Sequence, residues 1–106
     1  MNKSNIIKKG REVLNTEAGA IRNLSKGLDQ NFIKAVNLII KLEGKLILSG
    51  VGKSGNIANK LASSFTSTGV PSIYLNPVDA SHGDMGIVSQ GDVLIVLSNS
   101  GESYEL

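Results

Sequence analysis

The sequence predicts an α/β fold: a doubly wound parallel sheet flanked by helices, with only the first three strands present. Three observations carry that expectation. The run Val93-Leu94-Ile95-Val96-Leu97 holds five consecutive aliphatics, three of them β-branched, and reads as a strand buried on both faces, as in a parallel sheet. Two further short apolar runs, Lys45–Ser49 and Ser72–Leu75, are separated by a helical pattern, which is the arithmetic of a βαβ unit. The first and third strands each run directly into a polar, glycine-bearing turn, Gly50–Gly55 and Ser98–Ser103. In a doubly wound sheet those turns face each other across the crevice where ligands bind.

Composition narrows the class. At 106 residues the chain is one domain or part of one. Hydrophobic residues make up 41% and charged ones 19%, a globular rather than disordered balance. Without Trp and with two Phe, the core has to be built from Ile, Leu, Val and Ala. The net charge is only +2, and Lys3, Lys8, Lys9 and Arg11 crowd the start, so no basic stripe for nucleic acid is expected. Zero cysteines excludes disulfides and thiolate chemistry and fits a cytoplasmic protein. No apolar run approaches membrane-spanning length, and no membrane partner is expected.

The leading segment, residues 1–44, is read as two helices. Ile6, Ile7, Val13, Leu14, Ala18, Ile21, Leu24 and Leu28 recur at three-, four- and seven-residue intervals, one face of an amphipathic helix over Asn5–Leu28. Such a face packs on a neighbour, which in a short domain can be another subunit. Asp29 is a candidate N-cap for the second helix, with Phe32, Ile33, Val36, Ile39, Ile40 and Leu42 as its buried face and Gly44 as its C′ residue.

Residues 45–106 form the βαβ core. After the first strand and its glycine turn, a helix over Asn56–Thr68 turns Ile57, Ala58, Leu61, Ala62 and Phe65 inward, and Gly69 closes it. Pro71 opens the second strand. A loop from Asn76 to Val88 contains a short helical turn near Asp79–His82, and Glu102–Leu106 begins a helix after the serine turn. Three strands are fewer than a doubly wound sheet uses. The third strand, without the helix that should follow it, leaves apolar surface uncovered.

Chemistry concentrates in the turns. A helix N-terminus carries free N–H groups and partial positive charge, and therefore suits phosphate. At Ser98–Ser103 the hydroxyls of Ser98, Ser100 and Ser103 can donate to phosphate oxygens, while Gly101 lets the backbone approach. An ordinary serine cap would need only one of them. Gly50, Gly52 and Gly55 satisfy the G-x-G-x-x-G dinucleotide pattern, but the acid that should hold ribose at the end of the second strand is replaced by Asn76. A P-loop would require glycine at position 47, which is Ile47. Lys53 beside Ser54 then faces the serine turn, and two phosphate-friendly loops around one crevice suit a small phosphorylated ligand. A dinucleotide-binding fragment is the weaker rival. His82, the only histidine, sits in the glycine-flanked segment Ala80–Gly86, where proton transfer and hydroxyl binding stand beside a plain surface role. Asp84 either orients it or caps a turn. Glu102 and Glu105 are explained by the helix dipole, and Glu105 is also a candidate base.

Gly50-Val-Gly-Lys-Ser-Gly, Ser67-Thr-Gly-Val-Pro71, Ala80-Ser-His-Gly-Asp84 and Ser98-Asn-Ser-Gly-Glu-Ser103 together resemble the sugar isomerase (SIS) domain. More narrowly, they are similar to the arabinose 5-phosphate isomerases that feed Kdo and lipopolysaccharide synthesis. The resemblance covers nearly the whole chain and is densest from Leu46 to Leu106. It implies a flavodoxin-like five-stranded parallel sheet, a homotetramer, and interconversion of ribulose 5-phosphate and arabinose 5-phosphate through an enediol(ate), with no redox cofactor. By motif, Gly52, Ser54, Ser98, Asn99, Ser100 and Ser103 would bind the substrate and its phosphate. Lys53 and Glu105 match catalytic positions, His82 a substrate-contacting one, and Gly69 and Val70 a substrate-lining turn. Many of these enzymes carry histidine before Pro77, able to hold an inhibitory zinc; with Asn76 there, no metal is expected. The family's further catalytic glutamate and histidine, its last two strands and its paired CBS domains fall beyond residue 106. The expectation is therefore the N-terminal part of one SIS domain, truncated and inactive alone. A non-catalytic sugar-phosphate-binding module of a regulator is the alternative.

Overall fold

Strand β1 (Leu46–Gly50) is buried from end to end and carries the architecture. The computed structural model describes residues 2–101, apart from the side chain of Asp84. β1 pairs in parallel with β2 (Ser72–Tyr74) on one side and β3 (Val93–Leu97) on the other, so the order is β2-β1-β3. The chain crosses from one side of β1 to the other between β2 and β3. That reversal makes the switch point expected of a doubly wound sheet.

Two compact units divide the chain, Met1–Ala35 and Val36–Leu106. In the first, helix α1 (Lys3–Lys26) starts at Asn2, whose side chain accepts from the Asn5 N–H at 2.9 Å. Its apolar stripe forms as expected, yet none of its residues is buried. Asp29 caps the next helix, α2 (Gln30–Ile40), by accepting from the Asn31 N–H at 2.9 Å. The expected buried face of α2 is not buried: Phe32, Ile33 and Ile40 are exposed, while Ile39 and Leu42 pack partly on the core.

Gly44 does something other than end α2, which stops at Ile40. The Gly44 N–H donates to Gly91 O at 3.1 Å, and a Cβ on Gly44 would collide with Asp92 Oδ1 and lie 3.0 Å from the Gly91 carbonyl carbon. Two chain segments meet here too closely for any side chain.

The core of the second unit is Leu46, Leu48, Ala58 and Ala62, ringed by Leu61, Phe65, Val70, Val93, Ile95 and Leu97. Burying each large aliphatic contributes about 1.5–3 kcal/mol. Helix α3 (Lys53–Ser67) covers that face with Gly55, Ala58 and Ala62, whose small size lets helix and sheet approach. Ile57, expected inward, is 57% exposed. It sits about 100° round the helix from Ala58, off the stripe that meets the sheet. β3 also departs from expectation, since Leu94 is 55% and Val96 42% exposed. In parallel register they align with Ile47 and Ser49, the face turned away from the Leu46–Leu48 cluster. One face of β3 is therefore packed and the other open, as the uncovered third strand implied. After β2 come α4 (Pro77–Ser81) and a 3-10 turn over Asp84–Ile87, slightly more helix than the single turn expected.

Candidate functional site

The pairing of β1 and β3 runs flush to their carboxyl ends, with Gly50 opposite Leu97. Neighbouring strands lie about 4.8 Å apart, so the turns that leave Gly50 and Leu97 start side by side. Lys53, Ser54, Ser98, Asn99 and Ser100 are thereby brought to one edge of the sheet.

The first turn is a strained hinge that only glycine fits. Gly52 has φ +62°, a region open to glycine but costly for other residues. Gly50 and Gly55 serve close approach instead. A Cβ at Gly50 would lie 2.8 Å from the Ser54 carbonyl carbon, and one at Gly55 would lie 2.6 Å from Gly50 O. So α3 begins on top of the end of β1, three residues earlier than the periodicity predicts. The lysine and serine read as loop residues are its first two helical positions.

That start leaves an open electropositive end. Its N-cap, Gly52, makes no side-chain cap hydrogen bond, and the first turn contains no acidic residue. A helix start of this kind carries partial positive charge on its first N–H groups, and here no side chain caps it. Lys53 is exposed and, among the described residues, forms no ion pair. Opposite, the Gly101 N–H donates to Ser98 Oγ at 2.8 Å, and Gly101 has φ +73°. This bond folds the serine turn back on itself and exposes Ser98, Asn99 and Ser100. Such an edge can receive a doubly charged oxyanion.

A residue the sequence reading passed over holds this geometry. The Tyr74 hydroxyl on β2 donates to Gly50 O at 3.1 Å, reaching across β1 to its last residue. It also closes the space above Gly55, where a Cβ would come within 2.9 Å of the hydroxyl oxygen. Its only sequence signal was a tyrosine near the carboxyl end of a strand.

His82 caps the end of α4 and is exposed; among the described residues its imidazole makes no hydrogen bond. It follows β2 in the connection that crosses to β3. The Asp84 side chain, considered as its orienter, lies outside the described residues, as do Glu102, Ser103 and Glu105. Asn76 is committed to structure: its Oδ1 accepts from the Val78 N–H at 2.9 Å and caps α4. Together with Asp79, Asn76 lines an open hollow at the β2 end.

Gly69 and Val70 are not brought to this edge. They lie after the far end of α3 and before the start of β2, at the amino edge of the strands. Val70 packs on the core, and its N–H donates to Phe65 O at 3.0 Å. At that same amino edge is the second feature the sequence reading missed. The backbone N–H of Lys45 donates to Asp92 Oδ1 at 2.8 Å, its ammonium to Oδ2 at 2.8 Å, and the Ser89 N–H also to Oδ2 at 2.7 Å. These bonds, the lysine side chain's first, lower the Asp92 pKa from 3.8 to about 2. Lys45 and Asp92 each precede the first residue of a strand, and because Leu46 pairs with Val93 the register sets their opposite charges side by side.

Known proteins share this fold. The SIS domain profile matches residues 39–106. The chain is 44% identical over 97 residues to the arabinose 5-phosphate isomerase KdsD of Escherichia coli K12, covering 92% of this chain and 30% of that protein. A protein of E. coli CFT073, solved in complex with arabinose 5-phosphate, superposes with a TM-score of 0.92 at 38% identity over 99% of this chain. A Bacteroides fragilis protein described as a phosphosugar isomerase involved in capsule formation gives 0.89 at 42% identity over 94%. The chain spans about a third of the curated relative's length and 56% and 53% of the two solved chains. A doubly wound sheet, a glycine hinge under an open helix start and a serine turn beside it are here joined to a family match over most of the chain: it belongs to the SIS domain family.

Proposed function

We propose that the protein is an aldose–ketose isomerase for a five-carbon sugar phosphate, interconverting arabinose 5-phosphate and ribulose 5-phosphate through an enediol(ate). The observation that carries this reading is the flush pairing of Gly50 with Leu97, which sets the uncapped start of α3 beside the serine turn. The phosphate would be held by the α3 N–H groups, Ser54, and the hydroxyls and amides of Ser98, Asn99, Ser100 and Ser103. Lys53 would stabilise negative charge on the enediolate oxygens as the C2 proton leaves. Glu105, or a glutamate beyond residue 106, would carry that proton between C1 and C2, and His82 would contact sugar hydroxyls or assist ring opening. No electron leaves the substrate, so no redox cofactor is required. A lining role for Gly69 and Val70 would have to be played in the site of a second copy. The relatives named above support the substrate class; a cytoplasmic homotetramer serving Kdo and lipopolysaccharide synthesis belongs to the same proposal.

The test is calorimetric titration with arabinose 5-phosphate, ribulose 5-phosphate, inorganic phosphate and NAD, alongside an isomerase assay. Binding of both sugar phosphates, with turnover in a chain extended to the length of its relatives, is expected. Binding without turnover in that longer chain would favour the regulatory module, and NAD binding alone would overturn the reading.

A further inference from the structure

β1 outlasts β2 at the carboxyl edge. The last β1–β2 pair is Leu48 with Tyr74, while β1 runs on to Gly50. Beyond that pair the Leu75 N–H still donates to Leu48 O at 2.9 Å, and two side-chain hydroxyls join the strand ends. The Tyr74 hydroxyl reaches Gly50 O, and the Ser49 hydroxyl donates to Leu75 O at 2.6 Å. Side chains alternate along a strand, so Tyr74 stands with Leu48 on the α3 side of the sheet and Ser49 on the opposite face. Ser49 is 5% exposed and is the one polar residue buried among the described residues. A buried hydroxyl is costly unless it is bonded, and valine would suit such a strand position without that requirement. What serine adds there is the bond to Leu75.

The two hydroxyls restrain different segments. Tyr74 holds Gly50, from which the chain turns into α3. Ser49 holds the Leu75 carbonyl, and with it the plane of the peptide that leads into Asn76, the N-cap of α4. α4 lasts five residues and is closed by His82. We propose that Ser49 is a positioning residue for the His82 segment, acting through the Leu75 carbonyl and independently of the Tyr74 bond that positions the start of α3. The consequence for a ligand rests on the function proposed above, in which phosphate meets the α3 start and His82 the sugar hydroxyls. Ser49 then bears on the sugar and Tyr74 on the phosphate.

Two experiments on the chain test it. The first needs no ligand: amide hydrogen exchange, followed residue by residue by NMR. In α4 the Ala80 N–H donates to Asn76 O and the His82 N–H to Asp79 O. At the start of α3 the Gly55 N–H donates to Val51 O and the Asn56 N–H to Gly52 O. Ser49→Ala should speed exchange at Ala80 and His82 about two- to tenfold, one hydrogen bond's worth, and leave Gly55 and Asn56 at the wild-type rate. Tyr74→Phe should do the reverse. A general loss of stability would speed all four amides alike. The second experiment is calorimetry with arabinose 5-phosphate and inorganic phosphate. Ser49→Ala should weaken the sugar phosphate by about the same factor and leave phosphate unchanged, while Tyr74→Phe weakens both equally. Ser49→Thr, which keeps the hydroxyl, should restore the exchange rates and the affinity ratio. Equal changes at the two pairs of amides, or none at either, would overturn the proposal, as would an unchanged affinity ratio in Ser49→Ala. A wild type that binds phosphate but neither sugar phosphate would sink the isomerase reading instead, with the exchange pattern still deciding the role of Ser49.

Discussion

The same three strands end in opposite chemistry at their two edges. At the amino edge polar groups pair with one another: Asp92 takes three donors, the Gly44 N–H donates to Gly91 O, and the Leu46 N–H donates to Pro71 O at 2.7 Å. At the carboxyl edge the α3 start has no side-chain cap and Lys53 no ionic partner among the described residues. Paired groups fix register, whereas open donors and a free cation are useful only if something else supplies the negative charge. One edge thus specifies the sheet and the other is available for a ligand.

That contrast breaks if mutations at the two edges behave alike. The largest effect is expected from Gly55→Val, because the new side chain would press on Gly50 O and the Tyr74 hydroxyl. Overpacking against backbone costs about 1–3 kcal/mol in stability, and the displaced α3 start should abolish phosphate binding in the same titration. Lys53→Ala should separate the two properties. Loss of a charge-assisted contact should weaken sugar-phosphate affinity about 10- to 100-fold, or about 1.4–2.7 kcal/mol. Its denaturation midpoint should stay at the wild-type value, since the side chain is exposed and holds nothing in place. A drop in stability would mean that Lys53 is structural after all.

Next comes Tyr74→Phe, which removes only the bond to Gly50 O. About 0.5–1.5 kcal/mol of stability should be lost, together with a modest loss of phosphate affinity. Unfolding by urea read beside calorimetry decides it: a stability loss with unchanged affinity would make Tyr74 a packing residue only.

The parallel strands, their order and the two turns were legible because buried β-branched runs and glycine punctuation are local signals. The missed features share a cause. Tyr74 to Gly50 spans 24 residues and Lys45 to Asp92 spans 47, so neither shows as a pattern within a window of sequence. The α3 start was placed late because Lys53, Ser54 and Gly55 lack apolar periodicity, although close contact with Gly50 makes them helical. Burial was overestimated for Phe32, Ile33, Ile57, Leu94 and Val96. Periodicity says which residues share a face, and says nothing of whether anything covers it.

The smallest effect belongs to the amino edge and appears only in acid. Asp92 has its pKa lowered to about 2 in the folded chain against 3.8 ordinarily, through the Lys45 ammonium and then the Lys45 and Ser89 amides. A carboxylate whose pKa falls on folding binds fewer protons in the folded state than in the unfolded one, so its contribution is fully present above about 3.8 and is lost as pH falls through about 2. Wild-type denaturation midpoints should therefore fall across that window more steeply than those of Asp92→Asn, which has no carboxyl to protonate and should already be the less stable of the two at neutral pH. Lys53→Ala, changed at the other edge, should keep the wild-type slope. If Asp92→Asn kept that slope as well, acid sensitivity would originate elsewhere, and the Lys45–Asp92 contact would be an incidental pairing with no part in fixing the register of β1 and β3.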